Sequence, residues 1–272
     1  MALYIFITAL LRAIGVFIDK VLTQKGITRF DYFFYMCFSM LPFSLIMMVF
    51  EPIRFELNWK PILLLCMAAF LRYFQQHAVV GIVRKSEPYQ YQTYLTMGIA
   101  ITYIIDCFLG TRLLNWQGIF SVLLVLCGIL LVGSVKFERN SLNKDILTRV
   151  ICGIITGYVT FCILKYWSNA LYIFILNLVL TISFAPKYSK ESHKGHLSII
   201  KWVFLQQTFG FSFLFMTNNL MAQSVTLGIY VLPVTIVLCV IFSHFKNYSE
   251  QKLDIQKIFG ICMVLSGILL LK

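Results

Sequence analysis

Residues 252–272 read KLDIQKIFGICMVLSGILLLK, and residues 113–133 read LLNWQGIFSVLLVLCGILLVG. Aligned without gaps, the two stretches share a glutamine, an Ile-Phe pair, a Val-Leu pair and a Gly-Ile-Leu-Leu run that begins at Gly128 and at Gly267. Agreement in the same order along two whole stretches indicates an internal duplication. Both stretches are apolar enough to cross a bilayer, so the sequence predicts a duplicated membrane protein.

The composition of the whole chain agrees with this prediction. Of its 272 residues 60% are hydrophobic and 12% are charged, too much apolar surface for one globular core. Apolar stretches of bilayer length number about ten. They cover residues 2–22, 31–51, 61–83, 91–111, 115–135, 147–166, 169–186, 198–222, 224–245 and 254–271. The fold class is therefore predicted as an all-α polytopic membrane protein, with no room for a separate catalytic or DNA-binding domain.

Charges in the loops indicate how the two halves are inserted. Five spans per half is an odd number, so homologous halves must enter the membrane in opposite orientations. We compared each loop of the first half with the equivalent loop of the second half. Where one loop of a pair is rich in Lys and Arg the other is poor in them, as an inverted repeat requires under the positive-inside rule. We therefore predict a first five-helix repeat at 1–135, a polar linker at 136–146 and a second five-helix repeat at 147–272. The charge count, which includes Arg149 among the linker charges, places both termini outside the cytoplasm.

The second half carries a short sequence signature. Residues 249–260 read SEQKLDIQKIFG, an acidic and basic segment with glutamine and glycine that enters the last helix, and Pro233 lies in the preceding helix. This pattern resembles the ten-helix, two-repeat (EamA-type) members of the drug/metabolite transporter superfamily. The first half departs from it, with Thr111 in place of the acid and Tyr94 opposite Pro233. The resemblance implies a secondary transporter in a bacterial cytoplasmic membrane, although such transporters keep both termini in the cytoplasm.

Arg12 and Arg72 are the strongest candidate site residues. A charge at the bilayer centre costs at least ~2.5–3.5 kcal/mol on insertion scales unless it faces protein or water. Each arginine lies about eleven residues into a span of the same predicted direction, so both are expected at one depth. Guanidinium groups suit carboxylates and phosphates, which predicts a site for an anionic or zwitterionic substrate. The alternative is that each arginine pairs with a carboxylate such as Asp106.

Other ionisable residues in the spans add little to this site. Asp19 lies close to the end of span 1, where we expect it to be solvated. Span 1 contains no glutamate, which argues against a cationic drug as substrate. Adjacent amides on spans 3 and 8 point about 100° apart, so one of each pair is expected to face a cavity. The residues chosen for that cavity, beside Arg12 and Arg72, are Gln76, His77, Gln207 and Asn219; packing between helices is the alternative for each.

The sequence predicts no metal and no cofactor. The cysteines fall inside spans without a CxxC pair, and His193 and His196 are too few for the usual ligand set. A GxxxxGK[ST] loop is lacking, so transport is expected to be secondary rather than driven by ATP. Gly153 and Gly157 have a spacing that permits close helix packing, within one chain or between two copies in a homodimer.

The function predicted from these residues is secondary transport of a small polar metabolite by alternating access. The expected partners are the small-molecule substrate and the lipid bilayer, and no nucleic acid, because the net charge of +12 is scattered among short loops. One alternative is a translocator of a lipid-linked sugar or phospholipid. The other is a membrane protein that does not transport, as a partner subunit or an intramembrane enzyme. The sequence has no paired midplane carboxylates, HExxH motif or serine elbow, so we expect no enzyme.

Overall fold

The computed structural model describes residues 2–24, 29–85, 92–93, 95–96, 98–133, 142–188, 197–245 and 255–270. This part of the chain is helical, with one isolated bridge between Phe55 and Trp167. The helices are α1 (Ala2–Gln24), α2 (Arg29–Phe50), α3 (Trp59–Lys85), α4 (Ile99–Phe108), α5 (Trp116–Gly133), α6 (Leu142–Ile163), α7 (Asn169–Tyr188), α8 (Leu197–Met221), α9 (Val225–Ile229), α10 (Val231–Phe245) and α11 (Ile255–Leu270).

Several helices have the length and composition of membrane spans. Within the described residues, 5 segments meet both requirements: Asp31–Phe50, Lys144–Ile163, Asn169–Pro186, Ile199–Met221 and Val225–Ser243. Large apolar side chains are exposed on the helix surfaces, Val49 at 81% and Leu269 at 71% among them. Such surfaces need lipid around them, and backbone polar groups in lipid must be satisfied within the helix. The chain is an all-α integral membrane protein.

Helices lie in the apolar stretches predicted from the sequence, but only five segments among the described residues have the length and composition of a membrane span, and two boundaries differ from the prediction. The stretch at 224–245 is interrupted at Tyr230, where α9 ends and α10 begins. Pro233 accounts for this break, because it has no N–H to bond the carbonyl of Ile229 and is tolerated in the first turn of α10. Leu142 begins α6, so residues 142–146 of the predicted linker are helical. The rest of that linker lies outside the described residues.

The two duplicated stretches form α5 and α11, which cross each other closely. A Cβ on Gly128 would lie 2.6 Å from the carbonyl oxygen of Gly260, and one on Gly260 would lie 2.7 Å from that of Gly128. Further along, the Ser121 hydroxyl donates to the carbonyl of Gly267 over 2.6 Å. Since the partner number rises as the α5 number falls, the two helices are antiparallel.

The other helices pack in pairs drawn from the two halves. The main pairs are α2 with α7, α3 with α6, and α1 with α8 and α10. The connection after α2 also contacts the second half. Both carboxylate oxygens of Glu51 accept backbone N–H groups at the start of α7, from Asn169 over 3.0 Å and from Ala170 over 2.6 Å. A side chain of the first half thus caps a helix of the second half.

Candidate functional site

A cavity of about 140 Å³ lies between helices of both halves. Helices α1, α3, α6 and α8 form its sides, and the break between α9 and α10 forms part of its wall. Its lining consists of Arg12, Arg72, Gln75, Leu95, Arg149, Val150, Gly153, Ile154, Thr156, Gly157, Thr160, Phe213, Leu214, Thr217, Asn218, Met221, Gly228, Ile229 and Leu232. No acidic side chain is among these described lining residues.

Three arginines line this cavity from three different helices. Arg12 comes from α1 and Arg72 from α3, so the structure brings together the two arginines chosen from the sequence. Arg149 comes from the second turn of α6. Three guanidinium groups with no carboxylate in the lining favour an anion in the cavity, especially where low-dielectric walls strengthen each charge.

Arg12 is held from two sides. Its Nη1 lies 3.8 Å from Oδ2 of Asp19, and its guanidinium carbon lies 5.1 Å from the ring centroid of Phe213. Asp19 also accepts a hydrogen bond of 2.7 Å from the Tyr32 hydroxyl. The expectation that Asp19 is solvated was wrong, because it is only 6% exposed. Helix α1 continues to Gln24, beyond the predicted end of the span, and Tyr32 of α2 contacts the carboxylate.

Arg149 is the functional candidate that sequence reasoning missed. It lies inside the predicted span 147–166 but was counted among the charges of the linker. The structure begins α6 at Leu142, so Arg149 is a helical residue beside Val150 and Gly153 of the lining. Asn143 and Asp145 near the start of that helix were the available signal, since Asn and Asp favour the first turn of a helix.

A second group of lining residues is polar but uncharged. Gln75 donates to the Thr156 hydroxyl over 2.8 Å, which joins α3 to α6. Asn218 donates to the side chain of Asn169 over 2.9 Å. Thr217 differs from both: it is 5% exposed, and its hydroxyl oxygen has no hydrogen-bond partner among the described residues. A buried hydroxyl without a partner costs about 1–3 kcal/mol, so Thr217 is the lining residue that gains most from a ligand.

Of the remaining predicted site residues, Gln207 and Asn219 lie outside the cavity lining. Gln207 is fully buried beside Gln206 and Met36 and is not part of the lining. Asn219 accepts a hydrogen bond from Asn169 over 2.8 Å, a contact between α7 and α8 outside the lining. Gln76 and His77 belong to α3, but their side chains lie outside the described residues. Among the residues with described side chains, the lining amides are Gln75 and Asn218, the neighbours of two of the predicted ones.

One end of the cavity is tightly closed. A Cβ on Gly228 would lie 2.3 Å from Cγ of Met221, and a Cβ on Gly157 would lie 2.9 Å from Cγ1 of Val225. One turn earlier on α6 the space is open, since a Cβ on Gly153 would meet nothing within 4 Å. The cavity therefore narrows from Gly153 toward α9.

Asp106 stabilises this closed end of the cavity through hydrogen bonds. Its carboxylate accepts hydrogen bonds from the Ser224 hydroxyl over 2.6 Å, the Thr226 backbone N–H over 2.8 Å and the Tyr158 hydroxyl over 3.0 Å. It was predicted as a partner for an arginine of the cavity, whereas the described ion pair of Arg12 is with Asp19. Asp106 instead connects α4 of the first half to α6 and α9 of the second.

A second depression of about 400 Å³ lies beyond these contacts. It is formed where α4, α8 and α11 end and where α5 begins. Arg112 lies in it and donates to the Ser224 hydroxyl over 3.4 Å. The same serine bonds Asp106, so a narrow layer of hydrogen-bonded side chains separates this depression from the central cavity.

A metal site is not found in the described part of the chain, which has no group of three or more His, Cys, Asp or Glu side chains. His193 and His196, considered as metal ligands from the sequence, lie outside the described residues.

Comparison with known proteins finds a structure with a similar fold but no matching family. No protein-family model and no curated protein matches the sequence. Among solved structures, one described only as a crystal structure of a protein superposes with a TM-score of 0.74 at 12% sequence identity. The superposition covers 98% of this chain and 94% of the other. At that identity the similarity concerns the fold alone.

Proposed function

We propose that this protein is a secondary transporter that moves a small polar solute, anionic in character, across a membrane by alternating access. The observation that carries the proposal is the convergence of Arg12, Arg72 and Arg149 on one cavity inside an apolar helical protein. Charged side chains within membrane helices are costly and usually mark a substrate pathway. Guanidinium groups bind carboxylates and phosphates through paired hydrogen bonds.

The contacts of α5 and α11 support two inverted five-helix repeats. In the sequence alignment Ser121 is equivalent to Gly260, and Gly128 to Gly267. The contact of Gly128 with Gly260 is therefore repeated, with the halves exchanged, by the contact of Gly267 with Ser121. Antiparallel contacts that exchange in this way are expected of inverted repeats, on which many carriers build their two alternating faces.

The shape of the central cavity also supports alternating access. Its wall includes a broken span, α9 and α10, a feature of transporter binding sites. Its narrow end is closed by Met221, Gly228 and the Asp106 hydrogen bonds, and a second depression lies beyond. A solute would cross between the two spaces if these contacts opened. Tight packing without covalent links allows such rocking of one half against the other.

The volume of the cavity favours a small metabolite over a lipid-linked sugar. Pockets for drug-sized ligands measure about 300–1,000 Å³, and this cavity measures about 140 Å³. A phospholipid or lipid-linked sugar would need a larger site with an opening to the bilayer. The rival translocator therefore remains the second candidate, favoured only by the arginines that would hold its phosphate.

The family, membrane and orientation follow as parts of the same proposal. We place the chain with EamA-type members of the drug/metabolite transporter superfamily, on the signature at 249–260 and Pro233. The corresponding location is a bacterial cytoplasmic membrane. Half of the signature precedes Ile255 and lies outside the described residues.

Thermal stabilisation of the purified protein tests the site. A ligand that binds the folded protein raises its stability by RT ln(1 + [L]/Kd), about 2.7 kcal/mol at a hundred times Kd. We expect carboxylates or phosphates to stabilise the wild type, and Arg12→Gln or Arg72→Gln to remove the effect. Lys201→Gln, on the exposed face of α8, is the control and should leave it unchanged. Stabilisation by cations alone would contradict the proposal.

A further inference from the structure

We infer that the solute is a small organic anion that carries a neutral hydroxyl group, rather than a zwitterion, and that Thr217 is the residue that recognises this hydroxyl. The inference rests on the proposed function and narrows the class of its substrate. It depends on two properties of the described lining. Its charged side chains are all arginines, and the buried Thr217 hydroxyl has no described hydrogen-bond partner.

The charges of the lining argue against an ammonium group on the solute. Arg12, Arg72 and Arg149 contribute positive charge, and no Asp or Glu is among the described lining residues. The carboxylate of Asp19 lies 3.8 Å from Arg12 and accepts a hydrogen bond from Tyr32. A zwitterion would place its ammonium group in a cavity of like charge, where repulsion disfavours binding.

The uncharged lining residues fit a hydroxyl group instead. Phe213, Thr217 and Met221 follow each other at one-turn spacing along α8. Phe213 and Thr217 are four residues apart, about 6 Å along the axis of α8, and the guanidinium carbon of Arg12 lies 5.1 Å from the centre of the Phe213 ring. An anion held by Arg12 would therefore lie on the same face of α8 as Thr217.

Thr217 is the natural partner for such a hydroxyl. Its own hydroxyl both donates and accepts, and it lacks a described partner while it is 5% exposed. Gln75 and Asn218 already bond Thr156 and Asn169. A solute hydroxyl near Thr217 would therefore remove the cost of a buried unsatisfied group, and an analogue without the hydroxyl would leave it in place.

Binding of matched anions to the purified full-length protein tests this inference. Malate, succinate and aspartate share one carbon skeleton and carry a hydroxyl, a hydrogen or an ammonium group at the same carbon. Glycerol 3-phosphate and propyl phosphate form a second set in which phosphate replaces carboxylate. We expect the hydroxylated member of at least one set to bind about tenfold more tightly than its partner without the hydroxyl, the value of one good hydrogen bond. Aspartate should bind more weakly than malate.

Variants at one position separate recognition from structure. Thr217→Val keeps the shape of the side chain. It should weaken binding of the hydroxylated anion about tenfold and leave binding of the anion without the hydroxyl unchanged. Thr217→Ser restores the hydroxyl and should restore the preference. Thr208→Val, an exposed threonine of the same helix, is the matched control.

Failure of this inference can be distinguished from failure of the proposed function. Equal weakening of malate and succinate by Thr217→Val, or aspartate binding as tight as malate, would overturn this inference while the anion site remains. Binding of no anion by the wild type would overturn the proposed function, and this inference with it.

Discussion

At the scale of single residues, the account depends on where charge lies inside an apolar protein. Arg12 and Arg72 were identifiable from the sequence because a guanidinium in a span needs a polar surrounding. Arg149 was not, because it lies near the start of the predicted span 147–166 and was counted among the linker charges. Asp19 was misjudged because its burial depends on Tyr32 of the next helix.

The ion pair of Arg12 and Asp19 gives a first prediction. Asp19→Asn removes the negative charge beside Arg12 and keeps an acceptor for Tyr32. We expect tighter binding of anions by a few-fold and a folded state weakened by about 3 kcal/mol, because a buried charge loses its partner. Ligand titration and thermal unfolding measure the two effects. Tyr32→Phe is the control, since it removes the hydrogen bond but leaves the charge; equal changes in anion affinity in both variants would contradict the account.

Gly153 and Gly157 give a second prediction, because the two glycines of one helix face different surroundings. Gly153 faces open space in the cavity, so Gly153→Leu should block anion binding and keep the protein folded. A Cβ on Gly157 would lie only 2.9 Å from Cγ1 of Val225, so Gly157→Leu should lower the yield of folded protein. Size-exclusion profiles and anion titrations separate the outcomes. Normal anion binding by Gly153→Leu would show that the ligand lies elsewhere.

At the scale of the elements, the approximate positions of the helices were predictable and their rotations were not. The apolar stretches located the described helices, and five segments among them have the length and composition of a membrane span. The choice between Gln75 and Gln76, or between Asn218 and Asn219, depends on rotation about the helix axis. Neighbouring residues differ by 100° there. Only the packing of α3 against α6 and of α7 against α8 fixes that angle. The break before Pro233 was readable in principle, because proline removes a helical hydrogen bond.

The crossing of α5 and α11 gives the prediction at this scale. Gly128→Leu places a side chain where Gly260 O and Val264 lie within 2.9 Å of the Cβ, so the helices must separate. We expect a loss of about 3 kcal/mol or more in stability, or failure to fold. Thermal unfolding in detergent measures it. The control is Leu123→Val on the exposed face of α5, which should change little. An unaffected Gly128→Leu protein would contradict the antiparallel crossing.

At the scale of the whole molecule, the duplication stays a prediction, which the contacts between α5 and α11 support. If the halves are inverted repeats, the equivalent pairs at this crossing were foreseeable in kind, since aligned residues must then exchange roles. Their distances were not, because they depend on how far the small residues allow the backbones to approach. The cavity likewise forms only when α1, α3, α6 and α8 are assembled.

Orientation is a prediction of the whole chain. The positive-inside rule places both termini outside the cytoplasm, with the linker at 136–141 on the cytoplasmic side. Fusion of alkaline phosphatase after Lys272 should therefore give an active enzyme in a bacterial host, and fusion of a fluorescent protein there should give no fluorescence. The reverse pattern would contradict the charge count and would match the orientation typical of EamA-type transporters.

Uptake into proteoliposomes is the most direct test of the central claim that the arginine-lined cavity carries an anion across the membrane. The measurement follows radiolabelled malate and glycerol 3-phosphate in vesicles with wild type, Arg12→Gln, Arg72→Gln, Arg149→Gln or Lys201→Gln. The account predicts saturable uptake of at least one anion by the wild type and by Lys201→Gln, and a loss of at least tenfold in each variant of the cavity. Equal uptake by the wild type and the three cavity variants, or no uptake of either anion by any of them, would contradict it.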